Sequence, residues 1–174
     1  VYSLVDVDCA ALPSLIRPYT NIQVNTTQMP VALVSVVDSI PNAETVIYNQ
    51  VIFLPNQKRE LSLLDKKKNL HASIPNPNNQ MAVEDIKRVQ EVIARESKQL
   101  VYTHFNMVVA VSAGADLQKC TKHLENAFGR MGIHISKRAY NQLELFVGSF
   151  PGNCYTLNEE YDRFLTLSDA AMCL

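Results

Sequence analysis

A switch of hydrophobic period between residues 100 and 137 constrains this chain most. "LVYTHFNMVVAV", residues 100 to 111, is apolar or β-branched almost throughout and reads as one long strand. In "GADLQKCTKHLENAFGRMG" the apolar positions then fall three and four apart. Leu117, Cys120, Leu124, Phe128 and Met131 share one helical face, with Gly129 or Gly132 available to cap the helix end. "IHIS" returns to strand. Strand, helix and strand in succession predict a β-α-β unit over 100–137, the half-motif of ferredoxin-like layers.

The segments before it are of two kinds. "VYSLVDV", "NIQV", "VALVSVV" and "VIYNQVIFL" are short β-branched or aromatic runs separated by "TTQMP" and "DSIPNAE", which carry turn residues. The part from 1 to about 72 is therefore expected to be strand-rich. Val31 to Val37, apolar at nearly every position, reads as a central strand covered on both faces. Pro13 and Pro18 make Leu12 to Thr20 an irregular connection. Leu61 and Leu64 mark a short exposed helix over 57–68, with Lys66, Lys67 and Lys68 as its solvated end, where cations suit the helix dipole. "SIPNPNNQ", 73 to 80, is a stiff loop and the best internal boundary.

Residues 80 to 99 give a second helical pattern. Ala82, Ile86, Val89 and Ile93 form one stripe, and Asn78 or Asn79 supplies the N-cap. Glu84 with Arg88 and Glu91 with Arg95 are i, i+4 pairs on a solvated face. A further short helix spans about 139 to 147. The expected fold class is α+β: a mixed sheet packed by helices, in one lobe over 1–174. A helix plus the β-α-β part occupies 78–150, and a junction follows at 150–174.

Charge and motif inventory narrow the function. Sixteen Lys and Arg against seventeen Asp and Glu leave a net charge of −1, which gives no overall pull toward nucleic acid or anionic lipid. No apolar run reaches the ~18 residues needed to span a bilayer. Neither GxxxxGK[ST] nor GxGxxG occurs, nor HExxH, nor GxSxG. Cys9, Cys120, Cys154 and Cys173 include no CxxC pair and read as free thiols of a reducing compartment. Cys120 and His123 have ligand spacing on a helix, but Cys120 belongs to the apolar stripe and no second ligand pair accompanies them. His134, flanked by Ile133 and Ile135, is expected to point outward from its strand. His104 and His71 read as ordinary histidines.

The stretch "VGSFPGNCYTLNEEYDRFLTLSDAA" holds the most specific local signal. Pro151 and Gly152 fit the two central positions of a type II turn. Phe150 is placed to anchor that turn to a core, and Asn153 to close it by hydrogen bonding. Taken alone, these residues amount to a reversal between helix and strand.

This stretch, with "NLHASIPNPNNQMAVEDIKRVQEVIARESKQLVYTHFNMVVAV" before it, resembles the TraG family of conjugative-transposon ATPases of Bacteroidales, which belong to the type IV secretion ATPases. The likeness covers about residues 46 to 174. In that class a Pro-Gly-Asn turn, an Arg and a Ser lie just upstream of the motor domain. Pro151, Gly152, Asn153, Arg163 and Ser168 occupy those places here, with Phe150 directly before the turn as part of the same junction.

The resemblance implies a RecA-like, hexamer-forming motor in the whole protein, with ATP and Mg as its cofactors. It implies a site at the cytoplasmic face of the inner membrane. The chain opens on Val1 with no Met or signal-peptide start and carries no Walker loop, so it is read as an excised, non-catalytic lobe without a cofactor of its own. Its expected work is docking to channel proteins and to the rest of its ATPase. The alternative is a lobe that handles the transferred single strand, which requires Lys66 to Lys68, Lys87, Arg88, Lys137 and Arg138 on one face. A free-standing enzyme has no matched acid, base and pocket to rest on.

Overall fold

The computed structural model describes residues 1–4, 33–130 and 133–171. The expected strand at 21–24 and the connection at 12–20 lie outside these residues, as do Cys9, Cys173, Met131 and Gly132. The fold is α+β, and its axis is the predicted long strand. Strands β1 (Tyr2–Ser3), β2 (Ala43–Phe53), β3 (Leu100–Val111), β4 (Ser136–Lys137) and β5 (Phe164–Leu167) form one sheet in which β3 is central.

Strand β2 runs the length of one edge of β3, from Ala43 opposite Val111 to Phe53 opposite Tyr102. The other edge is shared. β5 takes Leu100 to Thr103 and β1 takes Asn106 and Met107. β4 pairs outside β1, antiparallel to it. Among the described residues every ladder is antiparallel, so the parallel component of the mixed sheet expected from sequence is not seen there. β3 and β4 nevertheless run in the same direction with β1 between them, which makes 100–137 a split β-α-β unit.

Helix α3 (Leu117–Arg130) covers the apolar face of this sheet. Cys120, Leu124 and Phe128, spaced by four, are completely buried and meet Phe105 and Met107 of β3 and Tyr48 of β2. The Phe105 ring sits 4.9 Å from Tyr48 and 6.0 Å from Phe128. Each such side chain contributes about 1.5–3 kcal/mol by burial. Gly129 lies inside the helix and does not cap it. Leu117, also expected on the stripe, is 43% exposed because it opens the first turn.

Of the run expected as a central strand, Val31 to Val37, positions 31 and 32 lie outside the described residues, and the rest forms a 3-10 turn over Leu33–Ser39. Ser39 Oγ donates to the Val36 carbonyl, and Val36 and Ile40 seal the core beside α3. A short apolar run fits a buried helical segment as well as a strand, and periodicity cannot separate the two. Here Pro41 and Asn42, the latter at φ 56°, reverse the chain directly into β2.

Between β2 and β3 the chain leaves the sheet as a helical hairpin of α1 (Gln57–Ser73) and α2 (Pro77–Glu96). The boundary loop shrinks to Ile74–Asn76. Asn76, and neither Asn78 nor Asn79, is the N-cap, accepting from the Asn79 amide at 2.8 Å. Pro77 explains the choice: its fixed φ and missing N–H suit the first helical position. Asn79 instead receives the His71 ring at 2.9 Å and donates to the Ile74 carbonyl. Since α1 continues to Ser73, Lys66 to Lys68 lie in mid-helix, away from the C-terminal dipole. The α2 stripe is only half-buried, with no residue fully covered. Arg88 approaches Asp85, one turn back, at 3.9 Å.

Candidate functional site

The face of β3 opposite the core carries Tyr102, His104 and Asn106, each two residues apart. Asn106 is fully buried and donates to the Leu145 carbonyl at 3.1 Å and to Ser149 Oγ at 2.7 Å. It also accepts from Asn49 of β2 at 2.7 Å. These bonds hold helix α4 (Gln142–Gly148) over the sheet. His104, expected to be an ordinary histidine, has no exposed surface. Its Nδ1 lies 2.6 Å from the Asp162 carbonyl, which can only accept, so Nδ1 carries the proton. Burial holds its pKa below the usual histidine value. The Asp162 carboxylate in turn accepts from the Asn158 amide at 2.9 Å and from Asn141 at 3.2 Å.

This polar layer positions the family stretch. Gly152 adopts φ 88°, and the Asn153 amide donates to the Phe150 carbonyl at 3.1 Å, so the type II turn forms as expected. It is closed by the Asn153 backbone, and the side chain makes no capping bond. Phe150 does not anchor the turn in the core. It is 42% exposed and packs edge-on against Phe146 at 5.0 Å. With Leu143, 73% exposed, these two rings make an uncovered stripe along α4.

A 3-10 turn over Cys154–Thr156 leads from Asn153 to Leu157, whose carbonyl accepts from Arg163 Nη2 at 3.1 Å. The turn and the arginine are thus two ends of one short loop. Arg163 also meets Glu159 at 3.1 Å and stacks its guanidinium on the Phe53 ring. It forms one wall of a cleft of about 470 Å³ with Phe53, Arg59, Glu60, Tyr102 and Glu160 among its lining. Tyr102 donates to Glu60 at 3.0 Å, and burial, then that carboxylate, raises its pKa. Guanidinium, carboxylate and aromatic groups equip this cleft to bind by charge and stacking.

Ser168 lies apart from the cleft, opening helix α5 (Ser168–Ala171). Its amide donates to the Gln99 carbonyl at 2.9 Å and its Oγ accepts from the Gln99 amide. Lys98 bridges to Asp169 and Glu96, both at 2.7 Å, which raises its pKa. Ser168 thereby pins the entry to β3 rather than joining Arg163. Among the described residues no hydrogen bond or ion pair joins either residue directly to the 150–153 turn.

Of the other candidates, Cys120 is sealed in the core while His123 faces Ser39 Oγ at 3.0 Å, so the two do not converge. His134 is exposed, as expected, but lies ahead of β4 and not within a strand. The basic residues do not gather. Lys66 to Lys68 and Lys87 with Arg88 belong to the helical hairpin, whereas Lys137 is on β4 and Arg138 donates to Ser3 Oγ at 2.5 Å. No helix of the described residues is long and apolar enough to cross a membrane. No family model, curated protein or solved structure matches the chain.

The buried His104 and Asn106 were the functional-looking residues missed from sequence. Their signal was present: two strongly polar side chains at i, i+2 on one face of a strand otherwise rich in apolar residues.

Proposed function

We propose that the chain is a non-catalytic docking lobe of a TraG-like conjugative-transfer ATPase, which positions the motor against the channel. The observation that carries this reading is the uncovered α4 stripe. Leu143, Phe146 and Phe150 expose large apolar surfaces beside the turn that the family resemblance singles out. Clustered apolar side chains on a rigid element mark a protein contact. The polar layer beneath fixes α4, so the stripe is presented in one orientation. Arg163, bonded to Leu157, couples the turn to the sheet. The lobe itself neither holds nor hydrolyses ATP; nucleotide, Mg and hexamer formation belong to the motor.

Co-purification with the conjugation-channel proteins, from cells at the inner membrane, tests this reading. Phe150→Asp with Leu143→Asp should abolish it while leaving the far-ultraviolet dichroism spectrum unchanged. Mg-dependent ATP turnover by the purified chain, or a double variant that still co-purifies, would refute the proposal.

A further inference from the structure

Helix α1 bears a second concave surface, distant in sequence from the α4 stripe. Leu63, Leu64 and Leu70 face Tyr102 of β3 and Leu165 of β5 across a groove of about 250 Å³. Leu70 is 64% exposed and Leu63 40%. Lys66 and Lys67 stand on its rim.

The three consecutive lysines are not equivalent. Lys68 is bound by Asp65 at 2.7 Å and Gln90 at 3.1 Å, inside the hairpin. Lys66 and Lys67 have no hydrogen bond or ion pair among the described residues. Glu60, among the described residues the one carboxylate lining the groove, is buried and already accepts the Tyr102 hydroxyl. The groove therefore offers an apolar floor and two uncommitted positive charges.

We propose that this groove receives an amphipathic segment of a partner protein, with aliphatic side chains on the leucine floor and carboxylates against Lys66 and Lys67. The apolar floor rewards burial, and the charged rim selects the sign of the flanking residues. The volume falls below the roughly 300–1,000 Å³ of small-molecule sites, as befits a few inserted side chains. Concavity favours a peptide over a lipid surface, which requires a face that protrudes into it. Nothing in this inference depends on the α4 stripe or on the conjugation reading.

The test uses the full chain and two labelled, helix-forming peptides with the same leucine stripe, one flanked by Glu and the other by Lys. Fluorescence anisotropy should show binding of the Glu-flanked peptide, weakened by salt, with amide shifts confined to residues around 60–70, 102 and 165. Lys66→Glu with Lys67→Glu should weaken that peptide about tenfold and favour its Lys-flanked twin. Leu70→Asp should abolish both, Leu70→Met neither, and Phe150→Asp should leave binding unchanged. Equal binding of both peptides to the unmodified chain, shifts mapping elsewhere, or no binding would overturn the proposal. So would Leu70-dependent attachment to phosphatidylglycerol vesicles without peptide binding.

Discussion

The guanidinium carbon of Arg163 lies 3.7 Å from the centre of the Phe53 ring, the last residue of β2. That stacking clasps the loop after Leu157 to the far end of a strand distant in sequence. Lysine would keep the charge but lose the planar stack and the directed bond to the Leu157 carbonyl. Arg163→Lys should therefore cost about 1 kcal/mol and Arg163→Ala about 2 kcal/mol, read from urea midpoints. An Arg163→Lys midpoint equal to that of the unmodified chain would show that planarity contributes nothing.

His104 sets a pH dependence. Its folded pKa is depressed by burial, with the Arg138 charge adding to this and Asp162 opposing it. The unfolded chain, near the ordinary value of 6.5, thus binds the extra proton first. Stability from this residue is complete above about pH 6.5 and declines as the pH falls below it. Urea midpoints at pH 7.5 and pH 5 should differ in that direction. His104→Gln, which keeps a donor for the Asp162 carbonyl, should lower the midpoint at pH 7.5 and shrink the difference.

Two glycines should respond for different reasons. A Cβ on Gly148 would stand 3.0 Å from Thr156 Oγ1 and 3.1 Å from Leu157 Cδ2. Gly148→Ala should push α4 away from the following 3-10 turn and cost about 1–3 kcal/mol. A Cβ on Gly152 meets nothing within 4 Å, but its φ of 88° strains any L side chain. Gly152→Ala should cost about 1 kcal/mol. Thermal melts monitored by dichroism would rank the two.

Ser97 ends α2 at φ 54°, a left-handed position where glycine is preferred. Ser97→Gly should stabilise the chain by about 0.5–1 kcal/mol by relieving Cβ strain. An unchanged or lower melting temperature would mean that the Ser97 side chain contributes more than its backbone strain costs.

Legibility followed the strength of local rules. The stripe of Cys120, Leu124 and Phe128 was readable because α3 packs one face on a sheet, and a 3.6-residue period then has nothing to compete with. Pro151-Gly152 was readable because a type II turn requires positive φ at its third position. Val31 to Val37 was not, since a run of apolar residues specifies burial without specifying backbone. Asn76 was missed because two further asparagines follow it, and Pro77 decides among them only once the helix start is fixed. The polar layer around His104 and Asn106 required knowing which loop would cover that side of β3. The choice of Asp162 and Ser149 as partners is made by chain topology, 58 and 43 residues away.

The helical hairpin enters after Phe53 and returns before Tyr102, and those two residues already face each other in the ladder. The strands are thus registered by their own pairing, while Gln57, bonded to the Leu100 backbone, and Glu60, accepting the Tyr102 hydroxyl, seat the arm at their joined tips. The part of the arm beyond those contacts can lengthen or change its surface without opening the sheet below.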